Sequence, residues 1–165
     1  MSKITKEKEK ILAILKLLSS FEEEMAEYYQ AISGIYSQHE DFWSSASMMK
    51  STRANLYSNL IQDFSNNSDN YQLKHDLNGP FINLYNKLKA EKSRLSLESI
   101  NAENNNRFIC EIETASTKTR VVPEVTGNTE TFSKIVLILD QTQARQVRLI
   151  EGYIESQKKT KSSTA

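Results

Sequence analysis

Residues 15–36 read LKLLSSFEEEMAEYYQAISGIY, and their periodicity decides the fold class. Leu15, Leu18, Glu22, Met25, Tyr29, Ile32 and Tyr36 recur at spacings of three and four, the stripe of a helix that faces a core. One member of the stripe, Glu22, is a carboxylate. With the residues before it, this stretch predicts a first helix over about Thr5 to Tyr36. Ser37-Gln38-His39-Glu40 then reads as a capping box, Ser37 and Glu40 each satisfying the other's free backbone donor. It opens a second helix, about Glu40 to Phe64, with Phe42, Met49, Thr52, Leu56 and Leu60 along one side. The polar run Asn66 to Asn70 ends that helix, because short polar side chains compete for backbone hydrogen bonds.

Beyond residue 70 the pattern is less regular. Asn78-Gly79-Pro80 reads as a helix start with Pro80 in the first turn, and Phe81, Leu84, Tyr85 and Leu88 give a short amphipathic helix over about Pro80 to Leu95. Phe108, Ile112, Ala115, Thr119 and Val122 keep a helical rhythm to about Val121, from a start that Asn104-Asn105-Asn106 obscure, since asparagines are poor helix formers. Pro123 and Gly127-Asn128 mark a loop. The last helix, about Thr131 to Ser156, carries Phe132, Val136, Leu139, Gln143, Gln146, Ile150 and Tyr153 on one stripe. Four long helices with a middle connection of about thirty residues suit an all-α, up-down four-helix bundle with a long crossover. Residues 1–156 form one domain in this reading, and 157–165 a flexible polar tail.

Composition agrees. The 165 residues are 38% hydrophobic and 25% charged, with only four glycines and two prolines, too few for a turn-rich β protein. Twenty-one basic residues balance twenty-one acidic ones, which leaves no electrostatic footprint for nucleic acid or an anionic membrane. The lysines at 3, 6, 8 and 10 and at 158, 159 and 161 read as solvated ends. No run approaches the ~20 apolar residues of a membrane span. The best signal-peptide candidate, Ile11 to Leu18, is interrupted by Lys16 and runs into Phe21-Glu22-Glu23-Glu24, so the expectation is a cytoplasmic protein. The lone Cys110 makes no internal disulfide and reads as a small buried apolar residue. Met25, Met48 and Met49 read as core filler, and Tyr28-Tyr29, Tyr36 and Phe42-Trp43 as packing. Phosphate-loop, dinucleotide and nucleophile-elbow motifs are absent.

Taken in order, Phe21-Glu22-x-x-Met25-x-x-Tyr28-Tyr29, His39-x-x-Phe42-Trp43-x-x-Ala46, Glu111-Ile112-Glu113 and Gln146 to Ile154 resemble the four core helices of the rubrerythrin group in the ferritin-like superfamily, over about residues 10–155. That resemblance implies two irons held by one Glu from each of two helices and a Glu-x-x-His from each of the other two, a spacing that puts both ligands on one helix face. Glu22 and Glu113 match the single glutamates. The first Glu-x-x-His falls on Met49-x-x-Thr52 and the second on Gln143-x-x-Gln146, so both imidazoles and two carboxylates are missing. Neither His39, in a turn, nor His75, in the crossover, is placed to replace them, and thioether or amide groups are poor ligands for hard iron. No metal, cofactor or catalytic residue is expected.

Glu22, Thr52, Gln143 and Gln146 then stand on otherwise apolar stripes. They are read as a hydrogen-bond network in which the glutamines donate to Glu22 and Glu113, as stripes misphased by one residue, or as a repurposed small-ligand or single-cation pocket. Facing carboxylates raise each other's pKa unless a cation lies between them, and Arg53 and Arg145 are each one residue from a stripe. The leading expectation is a non-catalytic, degenerate ferritin-like interaction or scaffold domain, as a homodimer or with another protein. The alternatives are a small-ligand or metal module built on Glu22 and Glu113, and a di-iron oxidase or peroxidase.

Overall fold

A computed structural model of the chain describes residues 3–74, 79–95, 101–118 and 125–162. It is all-α apart from one short ribbon. Helix α1 runs over Lys3–Ile35, α2 over Glu40–Asn67, α3 over Gly79–Leu95, α4 over Ala102–Lys118 and α5 over Glu130–Ser162. The two-stranded ribbon pairs β1, Tyr71–Leu73, with β2, Val125–Gly127, antiparallel, in the register Tyr71 to Gly127 and Leu73 to Val125.

Helix α1 forms where the sequence places it, and its stripe from Leu15 to Ile32 is buried, Glu22 included. It lies against α2 along much of its length, α2 borders α5, and α5 borders α4. Helix α3 packs on α1 and α4. Phe21 meets Phe81 with ring centroids 5.2 Å apart, and Lys92 pairs with Glu24 at 2.7 Å. At seventeen residues α3 equals α4 in length. Each large apolar side chain buried here stabilises the fold by roughly 1.5–3 kcal/mol before entropy is counted.

Several local expectations are corrected. Helix α2 has no capping box: Ser37 lies in a single 3₁₀ turn over Ser37–His39, and His39, at the N-cap, makes no side-chain cap bond. The Ser33 hydroxyl instead reaches the Glu40 carbonyl at 3.3 Å and Ser44 Oγ at 2.9 Å. Helix α5 continues to Ser162 instead of stopping near Ser156. The start of α4 has a clear cause in Asn101, whose Oδ1 accepts the backbone N–H groups of Glu103 at 2.9 Å and Asn104 at 3.2 Å, a side-chain N-cap. His75, Thr119 and residues 121–123 lie outside the described residues.

The ribbon was not foreseen, and Gly127 belongs to it instead of to a loop. Asp63, near the end of α2, holds it in place by accepting from Tyr71 Oη at 2.6 Å, Thr129 Oγ1 at 2.5 Å and Asn67 Nδ2 at 2.9 Å. Among the described residues no helix is long and apolar enough to cross a membrane.

Candidate functional site

The chemistry of this chain is concentrated where α1, α2, α4 and α5 face one another. Helix α1 contributes Glu22 and Tyr29, α2 Lys50 and Arg53, α4 Glu113 and Ser116, and α5 Gln143 and Gln146. Lys50 is fully buried, and Glu22, Arg53, Glu113, Gln143 and Gln146 are each at most 5% exposed.

The Lys50 ammonium lies 3.0 Å from Glu113 Oε2 and 3.5 Å from Glu22 Oε2, spanning the two carboxylates. Arg53 directs Nε and Nη2 at Glu22 Oε1, both at 2.8 Å. Its Nη1 donates to the Leu139 carbonyl and, at 2.9 Å, to Thr142 Oγ1, which ties α2 to α5. Glu113 Oε1 accepts from the Tyr29 hydroxyl, and Glu113 Oε2 accepts from Gln143 Nε2 at 3.1 Å. Gln143 Nε2 also reaches Ser116 Oγ at 2.9 Å. Two carboxylates and two cations make the cluster neutral overall, the condition under which buried charges are tolerated.

Protonation follows from this arrangement. Burial pushes the Glu22 carboxyl up, but the Lys50 and Arg53 charges outweigh it and hold the group below the ordinary 4.5. Burial likewise works against the Arg53 charge, and the neighbouring Glu22 more than offsets it. The Tyr29 phenol is driven well above its ordinary range, first by burial and then by the charge and hydrogen bond of Glu113.

Three of the six positions expected at the centre join the cluster: Glu22, Glu113 and Gln143. Gln146 is buried but lies beside a surface groove, bonded to the Ala46 carbonyl. The other two turn away. Thr52 is exposed and bonds back to the Met48 carbonyl at 3.0 Å, and Met49 is half-buried beside a surface groove. The inner face of α2 is turned by one residue from the expected stripe and presents Lys50 and Arg53, again three apart. Arg53 turns in as its neighbouring position allowed, whereas Arg145 is exposed. The glutamine expectation holds in half: Gln143 donates to Glu113, while Gln146 Nε2 donates to the Ala46 carbonyl at 3.4 Å. Lys50 was missed, because an isolated lysine carries no sign of burial in its type.

No family model, no curated protein and no solved structure matches this chain.

The residues present do not fit the pair of irons that the resemblance implies. An ammonium and a guanidinium take the two α2 places where a carboxylate and an imidazole would be needed. Both carboxylates already balance those cations. His39 lies at one end of the bundle, its ring centroid 5.3 Å from that of Tyr153. Among the described residues no three His, Cys, Asp or Glu side chains come together as a metal-ligand set. Cys110 is half-buried, and burial pushes its thiol up, away from the reactive thiolate.

Proposed function

We propose that this chain is a non-catalytic, degenerate ferritin-like bundle that acts as an interaction or scaffold domain in the cytoplasm, as a homodimer or with another protein. The observation that carries the reading is Lys50, whose ammonium bridges Glu22 and Glu113 at the centre. A cation supplied by the chain itself takes the place of a bound one, so the site stabilises and aligns helices and does no redox work. The ferritin-like assignment is supported by placement. Single glutamates on α1 and α4, with pairs three apart on α2 (Lys50, Arg53) and α5 (Gln143, Gln146), have the spacing of that family's ligands, though the α2 pair is one residue from the matched positions and Gln146 bonds to the Ala46 carbonyl. A ligand or metal module built on Glu22 and Glu113 is less favoured for the same reason: both carboxylates are engaged by Lys50, Arg53, Tyr29 and Gln143.

Elemental analysis of the purified protein is expected to show no stoichiometric iron, manganese or zinc, and a bridged iron pair would overturn the proposal. The frame itself is tested by the quadruple variant Lys50→Glu, Arg53→His, Gln143→Glu, Gln146→His. If α2 and α5 occupy ferritin-like positions, the folded variant takes up two Mn²⁺ per chain. A folded variant that takes up none removes the family assignment. Light scattering that gives a monomer removes the homodimer.

A further inference from the structure

The two cations and two carboxylates at the centre divide into two unlike pairs. Arg53 engages Glu22 through two nitrogens, both on Oε1. Glu22 Oε2 accepts no hydrogen bond among the described residues and faces the Lys50 ammonium at 3.5 Å. Lys50 stands closer to Glu113, its Nζ 3.0 Å from Oε2, and the two side chains are 0% and 2% exposed. Glu113 receives a donor on each oxygen, Tyr29 on Oε1 and Gln143 on Oε2. A primary amine therefore touches a carboxyl, with an unengaged carboxylate oxygen beside them and bulk water shut out. In water, hydration of the two ions keeps such a pair from condensing. A buried pair has lost that hydration, and its conversion to one neutral group removes the cost of desolvated charge. Arg53 and Glu22 remain behind as a balanced pair.

We propose that Lys50 and Glu113 condense into an intramolecular isopeptide bond that joins α2 to α4. Lys50 first passes a proton to Glu113 Oε2, which leaves a neutral amine and a carboxylic acid. The Nζ lone pair then attacks Cδ of Glu113, and the carbonyl electrons move to Oε1, where the Tyr29 hydroxyl donates. Glu22 Oε2 takes a second proton from Nζ and delivers it to Glu113 Oε2. The Cδ–Oε2 bond breaks, Oε2 leaves as water, and the carbonyl at Oε1 is restored. One ammonium and one carboxylate become one amide and one water, with no oxidant or co-reactant, and Glu22 ends ionised against Arg53. The reaction runs once per chain. It closes the chain between α2 and α4 into a loop, which restricts the unfolded state and suits a scaffold. The step uses the geometry of the cluster alone and holds with or without the ferritin-like assignment.

Intact-mass spectrometry of the purified full chain, kept folded at neutral pH until its mass is constant, is expected to show a deficit of one water. Trypsin then fails to cut after Lys50 and releases one branched peptide that carries both Lys50 and Glu113. Lys50→Arg keeps the cation without the amine and is expected at the full sequence mass. Glu22→Gln, which removes the proton carrier, is expected to slow the loss of water about 100-fold or more. A folded wild-type chain that stays at the full sequence mass overturns the proposal. So does a water deficit that persists in Lys50→Arg or maps to other residues, and a Glu22→Gln chain that condenses at the wild-type rate removes Glu22 from the step. These masses are read independently of metal content and light scattering, which test the scaffold reading.

Discussion

Lys50 has no water to fall back on. Fully buried, with Glu113 and Glu22 as its charge partners, its ammonium both gains from and is required by the carboxylates around it. Replacing one member of such a cluster leaves a buried charge uncompensated, at a cost of about 3–5 kcal/mol. Lys50→Met, which keeps most of the side-chain volume, is expected to lose stability of that order in urea denaturation. Removal of its charge leaves Glu22 and Glu113 less compensated. An unchanged denaturation midpoint would show that Lys50 contributes nothing net. At this scale the sequence was half legible. Glu22, Gln143 and Gln146 stood out because each interrupts an apolar stripe, and Glu113 because it matched a family position. Lys50 did not, and Arg53 was legible only as a cation one residue from a stripe, because their types are those of a solvated face, and only carboxylates arriving from two other helices make their burial tolerable.

The helices differ in how firmly their own residues set their rotation. Helix α1 has a broad apolar stripe and a single good phase. Helix α2 carries the doublets Phe42-Trp43 and Met48-Met49, which fit two phases equally well, and the tertiary packing selects the one that buries Trp43, Ala46, Tyr57 and Phe64. Its start is not held by Ser37, so Ser37→Ala is expected to change stability by no more than about 0.5 kcal/mol, where loss of a true N-cap would cost about 1 kcal/mol. The β ribbon is more sensitive. A Cβ at Gly127 would stand 2.8 Å from Cγ and Cδ2 of Phe132, a side chain only 6% exposed. Gly127→Ala therefore overpacks the junction of β2 and α5, with an expected loss of about 1–3 kcal/mol. Thermal unfolding of the two variants side by side separates these cases.

For the whole molecule, pH acts on stability from both directions. Glu22 is held below its ordinary value in the fold, so its ionised form adds stability above about pH 4.5, and that stability is lost as pH falls through the lowered folded value. The phenols of Tyr28, Tyr29 and Tyr57 are pushed up, each chiefly by burial. Their contribution is complete below pH 10 and is lost as pH rises beyond it. Denaturation midpoints are thus expected to be flat near neutrality and to fall at both extremes. In a tyrosinate absorbance titration these three of the seven tyrosines should ionise only together with loss of helical signal. Early, reversible ionisation of all seven would contradict the burial.

By itself the sequence determined that the chain is helical, where α1 and α3 lie, and which residues of α1 and α5 face inward. Those features follow from period and from local backbone chemistry, which a single segment carries within itself. The tertiary structure alone decided the rotation of α2, the pairing of Tyr71–Leu73 with Val125–Gly127, and the burial of Lys50 between two glutamates. Each of those depends on groups far apart in the chain, and a buried cation or a three-residue strand has no stable place until its partners arrive.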